Sequence, residues 1–182
     1  MDSDPKITLN WGCGETKKDA WVNIDTNPKC KPDLNDSLVG YPWDFPSSSV
    51  DSIFLNHVIE HTQKRQHDKI FIECNRVLKP GGILFLGYPK FERCSQAYIE
   101  NRGGDLDFWE ATLFGRQTQA GDFHLCGILD WYMKSKLLDM GFTNIKIKED
   151  PLQKEYSICI AEKSHNVESY ESVMGQQFNV TD

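Results

Sequence analysis

The first apolar segment alternates strictly: Ile7, Leu9 and Trp11 fall on one side, Thr8 and Asn10 on the other, and the run passes into Gly12-Cys13-Gly14. Period-two alternation predicts a short strand with one buried face. The glycines predict a turn that tolerates positive φ and lets a ligand lie against the backbone. After a polar connection at residues 15–20, Val22 and Ile24 predict a second strand ending on Asp25, and the connection is too short for a full crossover helix. Asn27-Pro28 stops that strand, a minimal third strand follows around Leu34, and the prolines of residues 41–46 exclude helix there. Residues 50–56 predict a buried strand. Ile70, Phe71, Cys74, Val77 and Leu78 recur at helical spacing across residues 64–78, and Lys79-Pro80-Gly81-Gly82 ends the helix. A fifth strand is expected at residues 83–86.

Residues 90–127 hold no strong period, and one helix is expected near residues 107–114. A loop of that length is uncommon without a function. Met133, Leu137 and Met140 keep helical register across residues 130–140, while residues 143–148 and 156–162 alternate on either side of a turn at Asp150-Pro151. Those two runs predict an antiparallel pair at the sheet edge. Residues 164–182 are polar and read as a loose tail. The order predicts an α/β domain over residues 1–163, with an open, mostly parallel Rossmann-like sheet and an antiparallel strand at one edge.

Composition narrows the partners. The 182 residues suit one domain, with 39% hydrophobic and 26% charged residues. A formal net charge of -7 opposes a nucleic-acid or membrane-surface partner. No apolar run approaches the roughly 20 residues of a membrane helix, and the polar M-D-S-D-P start lacks signal-peptide character, so a cytoplasmic setting is expected. The six cysteines include no C-x-x-C pair. Cys74 and Cys159 sit in apolar patterns and read as core, and no disulfide framework is expected.

Four segments then fall in order: L-N-W-G-C-G at residues 9–14, W-V-N-I-D at 21–25, the run from Pro46 to His61 ending H-V-I-E-H, and R-V-L-K-P-G-G at 76–82. Together they resemble a small branch of the class I S-adenosylmethionine-dependent methyltransferases, from about residue 7 to residue 162. The resemblance implies S-adenosylmethionine as cofactor. It assigns Gly12, Cys13 and Gly14 to the cofactor's methionine part, Asp25 to the ribose, Asn35 and Asp36 to the adenine, and Asn56 to the cofactor-facing end of the fourth strand, with Asn10, Trp11, Thr26 and His57 also among the cofactor-binding residues. Departures accompany it. Asn10 stands where the family at large has an acidic residue, Thr16 where a third glycine is frequent, and no lid helix is read before the first strand. A more open cofactor site is expected.

His57-Val58-Ile59-Glu60-His61 also spells the H-x-x-E-H pattern of inverted zinc peptidases. His57 directly follows a strand, whereas that motif needs an extended helix, and no third ligand is evident. The pair is expected to anchor strand to helix and line the pocket, with no metal. In the excursion, His124 is the candidate base, able to take a hydroxyl proton as the oxygen attacks the methyl group. Arg116, Gln117 and Trp109 are the candidates for holding the acceptor. The amino-methylating families carry N-P-P-[YFW] or D-P-P-Y after the fourth strand, and Asn56-His57-Val58-Ile59 departs from both. The reading is therefore methyl transfer to an oxygen of a small molecule such as a saccharide or other metabolite. Two alternatives stand beside it: a catalytically degenerate methyltransferase fold acting as a binding or scaffold protein, and the zinc peptidase. A nicotinamide dehydrogenase fits poorly, because its acidic residue normally lies about 20 residues past the glycines.

Overall fold

In the computed structural model, residues 5–118 and 121–165 are described. Seven strands form one sheet: β1 (Thr8–Trp11), β2 (Val22–Asp25), β3 (Leu34–Asn35), β4 (Val50–Asn56), β5 (Leu78–Pro89), β6 (Phe142–Glu149) and β7 (Tyr156–Lys163). Their order is β3-β2-β1-β4-β5-β7-β6. β1 to β5 pair in parallel, and β7 runs antiparallel to both β5 and β6. The antiparallel strand thus lies one place in from the edge, because the hairpin folds β7 back between its own partner and β5. The helices are α1 (His67–Val77), α2 (Phe91–Ile99), α3 (Leu106–Phe114) and α4 (Asp130–Asp139).

Register sorts the strand residues into two faces. Leu9, Trp11, Ile24, Ile53, Leu55, Leu84, Leu86, Cys159 and Ala161 are buried, joined by Ile70, Phe71, Cys74 and Val77 of α1 and Met133 and Leu137 of α4 in one core. The alternate residues fall on the opposite face, where Thr8, Ser52, Phe54, Phe85, Ile158 and Ile160 stay half-buried and Ile83 is exposed. Phe54 stacks on Phe85 at 4.2 Å, with Trp21 edge-on to Phe54. The crossovers explain the asymmetry. Residues 12–21 contain no helix, and the β2–β3 link holds only the 3-10 turn Pro28–Cys30.

Two boundaries differ from the sequence expectation. The helix ends at Val77 and β5 begins at once on Leu78, which pairs with Val50 ahead of a bulge, so Lys79-Pro80-Gly81-Gly82 belongs to the strand rather than to a separate stop. The excursion holds two helices, α2 as well as the expected α3. All six cysteines are free. Among the described residues no helix is long and apolar enough to cross a membrane. The expected tail lies, from residue 166 on, outside the described residues.

Candidate active site

Parallel strands put the ends of β1, β2, β4 and β5 at one edge, the ligand edge of open α/β sheets. Two cavities open there. One, of about 320 Å³, is lined by Trp11, Gly12, Asp25, Thr26, Ser37, Leu38, Val39, Val58, His61, Gln63, Gln66 and Leu125 among others. The second, of about 500 Å³, is lined by His57, His61, Phe108, Thr112, Arg116, Asp122, His124, Gln153 and Tyr156 among others. His61 lines both.

The first cavity has an apolar floor with polar groups at the β2 end. Trp11 stacks on Trp43 at 4.1 Å. The loop carrying Leu38 and Trp43 is tied to α1: the Trp43 amide donates to Glu73, and Arg76 donates to Glu73 and to the carbonyls of Trp43 and Phe45. At Gly12, with φ +69, a Cβ would come within 2.5 Å of Val58, so this turn closes only on glycine. Asp25 accepts from the Gly14 amide at 2.8 Å through Oδ2 and from the Asn27 amide at 2.8 Å through Oδ1. Each carboxylate oxygen keeps a further lone pair, and Asp25 lines the cavity.

Several sequence candidates take other places. Asn10 is buried and donates to Asn23 and to the Thr16 carbonyl, bracing the loop. The Gly12 and Cys13 amides both donate to the Ile24 carbonyl, and that of Gly14 to Asp25, so this loop contributes walls rather than free donors. Asn35 turns back to donate to the Asp25 carbonyl, and Asp36 accepts from the Ser37 amide. The turn after them, Ser37-Leu38-Val39, is what lines the cavity. Asn56 is exposed, with its side chain over Gly87. His57, at φ +56, lies edge-on to Tyr156 and lines the second cavity, not the first.

The second cavity depends on a long-range zipper. The Leu125 amide donates to the Glu60 carbonyl at 2.8 Å, and His61 Nδ1 lies 3.0 Å from the Phe123 carbonyl. These bonds bring His124 against the 3-10 turn Ile59–His61, and the His61 and His124 rings sit 4.7 Å apart. A carbonyl only accepts, so Nδ1 of His61 carries the proton and Nε2 keeps its lone pair. The crossing that delivers His124 is at Gly115, φ +82, where a Cβ would fall 1.8 Å from the Asp122 carbonyl oxygen. Burial pushes the His124 pKa below the usual imidazole value, against the nearby Glu60 carboxylate, which pulls it up. The ring is therefore neutral at pH 7 and able to accept a proton. Glu60 is buried, with Oε1 on His57 Nδ1 at 3.2 Å and Oε2 unpartnered.

Of the acceptor candidates, Arg116 lines this cavity. Trp109 is buried, its indole donating to the Arg102 carbonyl at 2.8 Å, so it packs α3. Gln117, at φ +56, is exposed and outside the lining. Phe108 supplies the aromatic wall. The sequence reading missed Ser37, Leu38 and Val39, whereas His61 lines the pocket as expected from the H-x-x-E-H spelling. That motif sits on a 3-10 turn rather than an α-helix.

Residues 25–86 match the family described as Methyltransferase domain. A 74-residue stretch is 30% identical to the mRNA-capping enzyme of a tick isolate of African swine fever virus, covering 41% of this chain and 8% of that enzyme. The chain thus spans about 8% of the length of the curated relatives it matches. In fold it is similar to a SAM-dependent methyltransferase from Methanosarcina mazei, with TM-score 0.64 and 19% identity over 90% of this chain and 95% of that one. A SAM-dependent methyltransferase from Archaeoglobus fulgidus gives TM-score 0.63 and 13% identity over 88% and 87%. The 1,6-didemethyltoxoflavin-N1-methyltransferase of Burkholderia thailandensis, solved with S-adenosylhomocysteine bound, gives 0.58 and 12% over 88% and 72%.

Proposed function

We propose that this chain, an S-adenosylmethionine-dependent methyltransferase of the class I fold, methylates a hydroxyl oxygen of a small acceptor held in the cavity lined by His57, Arg116 and His124. The observation that carries the reading is that His61 lines both cavities, which supports adjoining places for cofactor and acceptor. The residues present suit the cofactor. Asp25 offers free lone pairs to the ribose hydroxyls, and Trp11, Leu38, Val39 and Leu125 offer apolar walls to the adenine.

S-adenosylmethionine supplies an electrophilic methyl group on a sulfonium. The chain's own part is alignment and proton removal. Holding the two reactants in line is worth up to roughly 7–11 kcal/mol of barrier. Arg116 orients polar groups of the acceptor, Phe108 and Tyr156 exclude water beside it, and His124, neutral and at the cavity wall, faces the hydroxyl proton. General-base assistance of this kind contributes about 10²–10⁴-fold.

The stretch shared with the viral mRNA-capping enzyme favours a second reading, in which the acceptor is an RNA end. The net charge of -7 weighs against it, because phosphate binding rests on clustered cations. Incubation with labelled S-adenosylmethionine and two panels, hydroxylated metabolites and short RNAs, separates the readings. Methylation of a metabolite, lost in His124→Ala and Arg116→Ala while S-adenosylhomocysteine affinity stays near wild type, is the expected outcome. Loss of cofactor binding in both variants would mean that the segment supports the core instead.

A further inference from the structure

We propose that Glu60, His61 and His124 form a site for one divalent transition-metal cation, whose open positions face the acceptor cavity. One ligand atom from each of the three lies within 4.8 Å of the others. Two imidazoles and one carboxylate are a ligand set for zinc, cobalt or ferrous iron, with positions left for an exogenous oxygen.

Two independent features of the cluster favour a cation over a plain hydrogen-bonded knot. Glu60 is 1% exposed, yet its Oε2 has no partner, while Oε1 is held by His57. Buried carboxylate oxygens are rarely left so, and a cation satisfies the vacant one. His61 donates through Nδ1 to the Phe123 carbonyl, which turns the Nε2 lone pair outward. A carbonyl behind a ligating imidazole is the usual arrangement that fixes its tautomer. Ligand atoms about 3.4 Å apart surround a tetrahedral zinc, so closure asks roughly 1 Å of side-chain rotation. His61 and His124 are both only half-buried and have room for it.

The site deepens the methyl-transfer reading and rests on it for its role. A cation there binds the acceptor hydroxyl directly and lowers its pKa, as bound water is lowered to about 7 on zinc. The acidifying group is then the cation, and His124 holds it. The hydroxyl proton leaves to water through the open cavity. An oxygen lone pair forms the new carbon–oxygen bond as the carbon–sulfur pair returns to sulfur, leaving a neutral thioether. No oxidant or reductant is needed.

The test uses the full chain, stripped with a chelator, and cobalt(II) as probe, with zinc competing. One equivalent of cobalt should bind with visible d–d absorption and be displaced by zinc. Glu60→Gln and His124→Ala should each weaken binding at least tenfold, while melting curves and S-adenosylhomocysteine affinity stay near wild type. Should Glu60→Gln fail to fold, His61→Gln carries the metal-uptake and melting comparisons alone, because His61 is half-exposed and also lines the cofactor cavity. No cobalt or zinc uptake, or uptake unchanged in the variants, overturns the site. Metal uptake is read without acceptor. A chain that holds cobalt but methylates nothing keeps the site and loses the transfer reading; one that methylates at full rate after stripping loses the cation's role.

Discussion

Asp25 and His67 show how single side chains carry separate duties. Asp25 secures the Gly14 and Asn27 amides and still presents its carboxylate to the first cavity. Charged hydrogen bonds contribute about 1.5–3 kcal/mol each. Asp25→Ala should therefore weaken S-adenosylhomocysteine binding by about 10–100-fold in calorimetry without unfolding the domain. Asp25→Asn, which keeps the shape, should lose less. Unchanged affinity in both would remove Asp25 from the site. His67 does structural work: it is fully buried, with Nδ1 3.2 Å from the Tyr132 hydroxyl, and burial depresses its pKa from 6.5 to about 4. The unfolded chain binds a proton below pH 6.5 that the folded chain refuses until about pH 4. Stability is then full above pH 6.5 and falls as pH drops through that window, by about 2 kcal/mol between pH 7 and pH 5. Urea titrations at the two pH values check this, and His67→Gln should remove that share of the loss. Asp25 was legible in the sequence because a carboxylate at a strand end follows from pattern alone. The places of Asn10, Asn35 and Trp109 were not, because each is decided by which backbone carbonyl its donor reaches.

Elements were legible to the extent that they repeat. The strands and the helices α1 and α4 carry period-two or helical patterns, and the hairpin of β6 and β7 was readable from its turn. α2 buries only Cys94 and Ala97 and α3 only Trp109 and Thr112, so neither marks a full stripe, and of the two only α3 was expected. The loop from Gly115 to Leu125 was illegible for another reason: positive φ and a crossing of two backbones leave no periodic trace. Its closure hangs on Gly115, and a Cβ there requires the Asp122 carbonyl to move. Strain of this kind costs about 1–3 kcal/mol. In Gly115→Ala, methyl transfer should fall at least tenfold as His124 swings from His61, while S-adenosylhomocysteine affinity stays within about twofold. Equal loss of both would show that the loop also holds the cofactor cavity.

Across the whole molecule, the sheet has one face packed by α1 and α4 and another that carries Phe54, Phe85, Ile158 and Ile160 half in solvent. The alternation of each strand was readable, but not that, among the described residues, the β1–β2 and β2–β3 connections would bring no α-helix to the second face. The consequence is calorimetric. The heat-capacity change of unfolding tracks the apolar area newly exposed to water, ordinarily about 12–15 cal/mol/K per residue. A domain whose folded state leaves these side chains half in water has less to expose, so scanning calorimetry should return a value below that range. Its stability curve would then be shallow, changing less between cold and warm conditions than that of a domain of equal length dried on both sides.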